Sequence, residues 1–127
     1  MPEPLLLVED DDSLRTTVAR HLRRHGFTVI EADSTEAARA ALANGLRPGL
    51  VLLDLNLPGD TGWELVRDGP LARADGPPVV VVSAIPVSQR QLAEHRVAGY
   101  LPKPFPLETL LSMVDRTLRP TPAQETP

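Results

Sequence analysis

Carboxylates stand directly after two short apolar runs in this sequence of 127 residues. The segment 9–12, Glu-Asp-Asp-Asp, follows the apolar run 5–8, and Asp54 follows the apolar run 50–53. Carboxylates packed together repel one another and raise each other's pKa, and a hard divalent cation such as Mg²⁺ relieves that repulsion. A carboxylate can also act as a nucleophile and form an acyl phosphate. A simpler role is capping of the next helix, which we expect for Asp12.

Two further polar residues occupy similar positions later in the chain. Ser83 follows the apolar run 79–82, and Lys103 comes just after a weaker run at 98–101. Lys103 is the only lysine beside 12 arginines, which suggests that the position requires a compact ammonium. Either residue alone could be structural. Together with Asp54 they suit phosphoryl transfer, in which Mg²⁺, Lys103 and the Ser83 hydroxyl would each neutralise one oxygen while Asp54 acts as nucleophile.

The elements that would position these residues follow from the apolar pattern. Most of the runs lack the polar alternation of a half-exposed strand, which is typical of strands covered on both faces in a parallel sheet. The predicted strands are 5–8, 27–30, 50–53, 79–82 and, more weakly, 98–101. Because the carboxyl ends of parallel strands lie at one edge of the sheet, we expect the polar residues to converge there.

Helices are predicted between and after these strands. Their predicted positions are 13–25, 34–44, a short segment from about 62, 88–95 and 106–118. Asp33 is predicted to cap the second helix with Glu36 as its capping-box partner, and Gly69-Pro70 is predicted to shorten the third. Strands alternating with helices predict an α/β fold in which right-handed crossovers place helices on both faces of a parallel sheet.

Composition restricts the function classes. The net charge of −4 argues against broad nucleic-acid binding, and the absence of cysteine excludes disulfides and thiolate metal sites. The three histidines lack zinc spacing and are expected at the surface. With no bilayer-length apolar run and no signal-peptide pattern, we expect a cytoplasmic protein without a membrane partner. We expect one domain over residues 1–118, followed by a Pro-rich disordered tail or linker at 119–127.

The chain resembles the receiver domain of two-component response regulators from Pro4 to about Leu118. The segments that carry the resemblance are Leu-Leu-Val-Glu-Asp-Asp-Asp at 6–12, Leu-Leu-Asp-Leu-Asn-Leu-Pro-Gly-Asp-Thr-Gly at 52–62, Val-Val-Ser-Ala at 81–84 and Gly-Tyr-Leu-Pro-Lys-Pro-Phe at 99–105. The segment around Asp54 and the Lys-Pro-Phe segment are the most specific. The resemblance implies a flavodoxin-like (βα)5 three-layer sandwich with a parallel five-stranded sheet in the order 2-1-3-4-5.

The resemblance also implies a role for each site residue. The ion would be Mg²⁺, with Mn²⁺ as a substitute. Its ligands would be Glu9, Asp10, Asp54 and the backbone carbonyl of Asn56. Asp54 would accept the phosphoryl group and Lys103 would bind it. Ser83 and Tyr100 would be the conformational switch residues, and the Lys103–Pro104 peptide bond would be cis.

The function implied is that of a bacterial signalling switch and not of a turnover enzyme. A sensor histidine kinase or a histidine phosphotransfer protein would phosphorylate Asp54, and the altered surface would control an unknown output partner. The resemblance implies no direct nucleic-acid binding by this domain, and we expect a monomer or a weak phosphorylation-dependent dimer. The segment from Ser83 to Lys103 is shorter than the family norm, which predicts a short fourth helix.

Two alternatives remain at this point. An aspartate-nucleophile phosphatase uses similar chemistry, but its second aspartate is replaced here by Asn56. A degenerate receiver would act only as a protein-interaction module, although every expected pocket position is filled.

Overall fold

The computed structural model describes residues 3–57 and 61–118. Strands and helices alternate along the chain. The strands are β1 (Leu5–Val8), β2 (Val29–Ala32), β3 (Leu50–Asp54), β4 (Val79–Ser83) and β5 (Gly99–Pro102). The helices are α1 (Asp12–Arg24), α2 (Thr35–Ala43), α3 (Gly62–Arg67), α4 (Gln89–Glu94) and α5 (Leu107–Leu118), with a 3-10 turn at Gly69–Ala72 after α3.

The five strands form one parallel sheet in the order β2-β1-β3-β4-β5, as predicted. Every residue of β1, β3 and β4 is buried, because helices cover both faces. Alternate residues of β1 enter different apolar clusters: Leu6 packs with α2 and α3, whereas Leu7 packs with α1 and α5. The continuous apolar runs of the sequence therefore correspond to the middle layer of a three-layer sandwich.

The helix caps correct two predictions. Asp11, and not Asp12, caps α1 by accepting a 3.0 Å hydrogen bond from the backbone N–H of Leu14. Ser34, and not Asp33, caps α2 through the N–H of Ala37, also at 3.0 Å. A capping side chain reaches the N–H three residues later, so each helix start selects one residue as its cap.

The second strand also begins later than predicted. The N–H of Phe27 donates to the carbonyl of Leu22 at 3.2 Å, so Phe27 belongs to the end of α1 and β2 starts at Val29. The histidine prediction was correct only for His25, because His21 and His95 are half-buried. His95 stacks on Trp63 with ring centroids 4.2 Å apart.

The fourth helix is short, as predicted, and weakly embedded. Its six residues include none that is buried, although Leu92 packs partly against the core. Ser88 and Gln91 form a capping box at its start. Within the described part of the chain, no helix is both long enough and apolar enough to cross a membrane. The predicted tail at 119–127 lies outside the described residues.

Candidate metal and phosphoryl site

The register of the sheet brings the predicted residues to one edge. Asp54 pairs with Val82 at the end of β3, and Ser83 pairs with Pro102 at the end of β4. The N–H of Lys103 donates to the carbonyl of Ser83 at 2.9 Å and so holds the start of the β5–α5 loop against β4. The carboxyl ends of the strands therefore lie side by side, and the side chains that follow them come together at that edge of the sheet.

Three carboxylates converge at this edge. One oxygen from each of Glu9, Asp10 and Asp54 lies within 4.8 Å of the others, which makes them the only such cluster in residues 3–57 and 61–118. Opposite ligands of Mg²⁺ lie about 4.2 Å apart, at 2.0–2.1 Å from the ion. Oxygens within 4.8 Å of one another are close enough to share one ion, and Mg²⁺ usually retains several waters that would fill the remaining positions. The three residues thus fit the metal that the sequence predicts.

Glu9 is buried between two donors. Its Oε1 lies 3.0 Å from Nζ of Lys103, and its Oε2 accepts a 3.1 Å hydrogen bond from the N–H of Asp11. Burial raises the pKa of Glu9 to about 7, and the negative charge of Asp54 adds to this effect, although both hydrogen bonds oppose it. A bound divalent cation would favour the charged form of Glu9 and so oppose the rise in its pKa that burial causes.

Lys103 links two of the three carboxylates. Its Nζ donates to Oδ2 of Asp54 at 3.2 Å as well as contacting Glu9, and its side chain is 20% exposed. Burial acts to lower the pKa of Lys103, but the hydrogen bond to Glu9 and the charges of Asp54 and Glu9 outweigh it and raise the pKa. The ammonium is therefore charged, and it lies beside the carboxylate that would receive the phosphoryl group. The Lys103–Pro104 peptide bond is cis.

Ser83 is bonded through its hydroxyl to Asn56 and Ile85. Its hydroxyl lies 2.9 Å from two acceptors, Oδ1 of Asn56 and the carbonyl of Ile85, and it accepts a hydrogen bond from the N–H of Ile85 at 3.0 Å. A hydroxyl carries one proton, so the two acceptors share it. To donate this proton to a phosphoryl oxygen, Ser83 would have to release both acceptors.

Asn56 has a contact that the sequence analysis missed. Its backbone carbonyl was predicted as a metal ligand, and in the structure its side chain also accepts from Ser83 while its N–H donates to Oδ1 of Asp54 at 3.0 Å. The signal was present, because a polar residue two positions after a strand-end aspartate can reach the next strand end. Asn56 therefore connects Asp54 with Ser83.

Tyr100 lies within β5, three residues before Lys103. It is half-buried in β5, opposite Val81, and packs against the apolar cluster that includes Leu65 of α3. Tyr100 therefore packs against the same apolar cluster as α3 and Leu92 of α4, and the predicted switch role would require it to move there.

Gly62 packs closely against the backbone at the end of β3. A Cβ atom at this position would lie 2.7 Å from the carbonyl oxygen of Asp54 and 3.1 Å from Cα of Leu55. The N–H of Gly62 donates to the carbonyl of Leu55 at 3.1 Å, which fixes this approach. Sequence reasoning placed a helix start near Gly62 but did not predict the contact.

Comparison with known proteins gives a consistent result. Residues 5–115 match the family described as response regulator receiver domain. The transcriptional activator protein PfeR of Pseudomonas aeruginosa is 39% identical over 123 residues, covering 94% of this chain and 39% of that protein. Response regulator MprA of Mycobacterium sp. (strain KMS) is 36% identical, covering 100% of this chain and 55% of that protein. The chain thus spans about half or less of these relatives.

Solved structures of similar size superpose closely on the whole fold. The chemotaxis response regulator CheY4 of Vibrio cholerae has a TM-score of 0.80 at 28% identity, covering 93% of this chain and 100% of that one. The non-phosphorylated HemR receiver domain of Leptospira biflexa has a TM-score of 0.80 at 31% identity, covering 94% and 96%. On these matches and on its strand-end site, the chain belongs to the family of response regulator receiver domains.

Proposed function

We propose that Asp54 is the phosphoryl acceptor of this receiver domain and that a histidine of a sensor kinase or phosphotransfer protein is the donor. The observation that carries the proposal is the charged Lys103 ammonium held between the buried carboxylates of Asp54 and Glu9. A carboxylate oxygen of Asp54 attacks the phosphorus and the P–N bond breaks. The leaving imidazole keeps the electron pair and takes up a proton, and an acyl phosphate remains on Asp54.

The remaining site residues divide the charge of the transferred group. Glu9, Asp10, Asp54 and the backbone carbonyl of Asn56 would hold Mg²⁺, which when bound neutralises charge on the phosphoryl oxygens. The ammonium of Lys103 would turn from Glu9 toward one of those oxygens. With its own Asp54 as the acceptor, the domain would act on itself and not as a turnover enzyme.

Ser83 supplies the proposed link to conformation. A phosphoryl dianion is a stronger acceptor than the amide of Asn56, so the Ser83 hydroxyl would exchange its 2.9 Å bond for one to phosphate. The N–H of Ile85 donates to the Ser83 hydroxyl oxygen and does not use the hydroxyl proton, so this bond would persist and the segment leading into α4 would follow Ser83. Because α4 has no buried residue, a shift of this helix between two conformations would cost little free energy. Tyr100, which packs against the same apolar cluster as Leu92 of α4, would turn inward.

The output of the switch is a further part of the proposal. One relative is named a transcriptional activator, and the relatives are longer than this chain. We propose a cytoplasmic domain that controls an output domain or a separate partner protein through the surface around α4 and β5. The phosphatase alternative is disfavoured, because Asn56 has no carboxylic acid to donate a proton and its amide oxygen is bonded to Ser83.

The test is covalent modification with a small donor. The protein is incubated with Mg²⁺ and acetyl phosphate, and its intact mass is recorded with and without EDTA. We expect one phosphoryl adduct that disappears with EDTA and in Asp54→Asn, and that remains in Asp33→Asn, an exposed aspartate after β2. An unmodified wild type, or an adduct that survives in Asp54→Asn, would overturn the proposal.

A further inference from the structure

We infer that Arg15 is a positioning residue for the metal site, because it fixes the backbone of the segment that supplies Glu9 and Asp10. This inference rests on the proposed Mg²⁺ site. Nη1 of Arg15 donates to the backbone carbonyl of Glu9 at 2.9 Å. On its other side, the N–H of Glu9 donates to the carbonyl of Ala32 in β2 at 3.0 Å. Both backbone polar groups of Glu9 are thereby held.

The rest of the guanidinium connects this point to two other elements. Nη2 of Arg15 lies 2.6 Å from Oδ1 of Asp12 in α1, and Nε lies 3.3 Å from Oε1 of Glu31 in β2. The Arg15 side chain is 15% exposed, and its bond to the Glu9 carbonyl is partly buried, whereas its partner Asp12 is 86% exposed and open to water. The end of β1, the start of α1 and the end of β2 therefore meet on one planar group, whose fixed fork of donors matches three acceptors at once.

The charge of Arg15 is already compensated. Asp12 and Glu31 carry two negative charges, and Arg15 together with Arg23, which also bonds to Glu31, carries two positive charges. The guanidinium points to the backbone of Glu9 and not to its carboxylate, which is bound by Lys103 and Asp11. The structure thus assigns Arg15 the role of fixing position, since a direct electrostatic effect on a cation would require an uncompensated charge.

Loss of this fixation has a specific consequence for metal binding. Two of the three clustered carboxylates, Glu9 and Asp10, project from the segment that Arg15 holds. Mg²⁺ demands near-ideal octahedral geometry, so its affinity depends on how well the ligands are held before it binds. Loss of a residue that orients metal ligands typically lowers metal affinity by about 10- to 100-fold. We therefore expect about tenfold weaker Mg²⁺ binding without the Arg15 fork.

Arg23 provides a matched control. Its Nη1 bonds to the same Glu31 at 3.0 Å, and its Nη2 bonds to a strand carbonyl, that of Val29, at 2.8 Å. It makes the same kinds of contact as Arg15 but does not reach Glu9. Lysine at either position keeps the positive charge and removes the fork, so Arg15→Lys releases the carbonyl of Glu9 whereas Arg23→Lys releases that of Val29; Arg15→Lys also loses the bond to Asp12, whose side chain is 86% exposed.

The experiment is a calorimetric titration of the protein with Mg²⁺ alone. It compares wild type with Arg15→Lys, Arg15→Met and Arg23→Lys. The temperature is chosen so that circular dichroism shows each variant folded. We expect the Kd for Mg²⁺ to rise about tenfold in both Arg15 variants and to stay within about twofold in Arg23→Lys. In the metal-free protein, the Asp11 amide, which donates to Glu9, should exchange its hydrogen faster in Arg15→Lys than in wild type.

Each other outcome contradicts the inference in its own way. An unchanged Kd in Arg15→Lys with tighter binding in Arg15→Met would show that Arg15 acts only as a repelling charge. Equal losses of Mg²⁺ affinity in Arg15→Lys and Arg23→Lys would show that both variants act through a general effect on stability. If wild type binds Mg²⁺ and is phosphorylated, and Arg15→Lys binds Mg²⁺ with the same Kd, the inference about Arg15 fails while the proposed function stands. A wild type that does not bind Mg²⁺ would overturn both the inference and the proposed metal site.

Discussion

Replacement of Gly62 by alanine should destabilise the domain, which is the opposite of the usual effect of this change in a helix. Gly62 is the first residue of α3, and alanine is the better helix former by up to about 1 kcal/mol. The added Cβ, however, would lie 2.7 Å from the carbonyl oxygen of Asp54, 3.1 Å from Cα of Leu55 and 3.2 Å from Cγ of Leu53. Two of these three neighbours are backbone atoms, which cannot rotate away.

The two effects can be compared in magnitude. Overpacking in a well-packed site costs about 1–3 kcal/mol, and at the start of α3 the gain in helix propensity offsets only part of it. We expect a net loss of about 1–2 kcal/mol in the free energy of unfolding. For a domain of this size that corresponds to a fall in Tm of about 3–10 °C. Because the clash falls on the Asp54 carbonyl, we also expect phosphorylation by acetyl phosphate to slow by about tenfold or more.

The assay combines thermal unfolding by far-UV circular dichroism with the initial rate of adduct formation by mass spectrometry. Gly26→Ala is the control, because Gly26 has φ +92° and nothing within 4 Å of its Cβ position. It should lose about 1–2 kcal/mol through backbone strain while its phosphorylation rate stays near that of wild type. A Gly62→Ala protein as stable as wild type, or more stable, would refute the reasoning from close approach.

Two further changes test other contacts. Lys103→Arg should slow phosphorylation by about tenfold or more, because a planar guanidinium cannot occupy the place of an ammonium 3.0 and 3.2 Å from two carboxylates; an initial rate within twofold of wild type would contradict this. His95→Ala should remove the 4.2 Å stack on Trp63, lower the free energy of unfolding by about 0.5–1.5 kcal/mol and shift the tryptophan emission. His25→Ala serves as its control, and equal emission spectra for both variants would count against a role for the stack.

The sheet and much of the site could be predicted from sequence because the signals are local. An apolar run followed by a polar residue defines both a strand and its end, and parallel pairing then brings Asp54 and Ser83 together without knowledge of any side-chain contact. Lys103 was identifiable because no other lysine occurs in the chain. The predicted strand order is also confirmed, since right-handed crossovers allow few arrangements.

The features that could not be predicted depend on distances between segments that are remote in sequence. Arg15 is one of 12 arginines, and nothing in the sequence indicates that it reaches the carbonyl of Glu9. The stack of Trp63 on His95 joins α3 to the end of α4 across 32 positions, and the three histidines had looked alike. The caps of α1 and α2 were misassigned by one residue, because neighbouring polar residues compete and only the exact helix start decides between them.

The single lysine of the chain also determines how the protein responds to amine-directed reagents. Acylating dyes and cross-linkers attack the neutral amine, and the raised pKa of Lys103 reduces that form near neutral pH. Labelling through side-chain amines is therefore confined to one slow position. The rate of that labelling therefore reports on the surroundings of Lys103. A ligand that covers Nζ should slow the reaction, and a change that releases Nζ from its two carboxylates should speed it up.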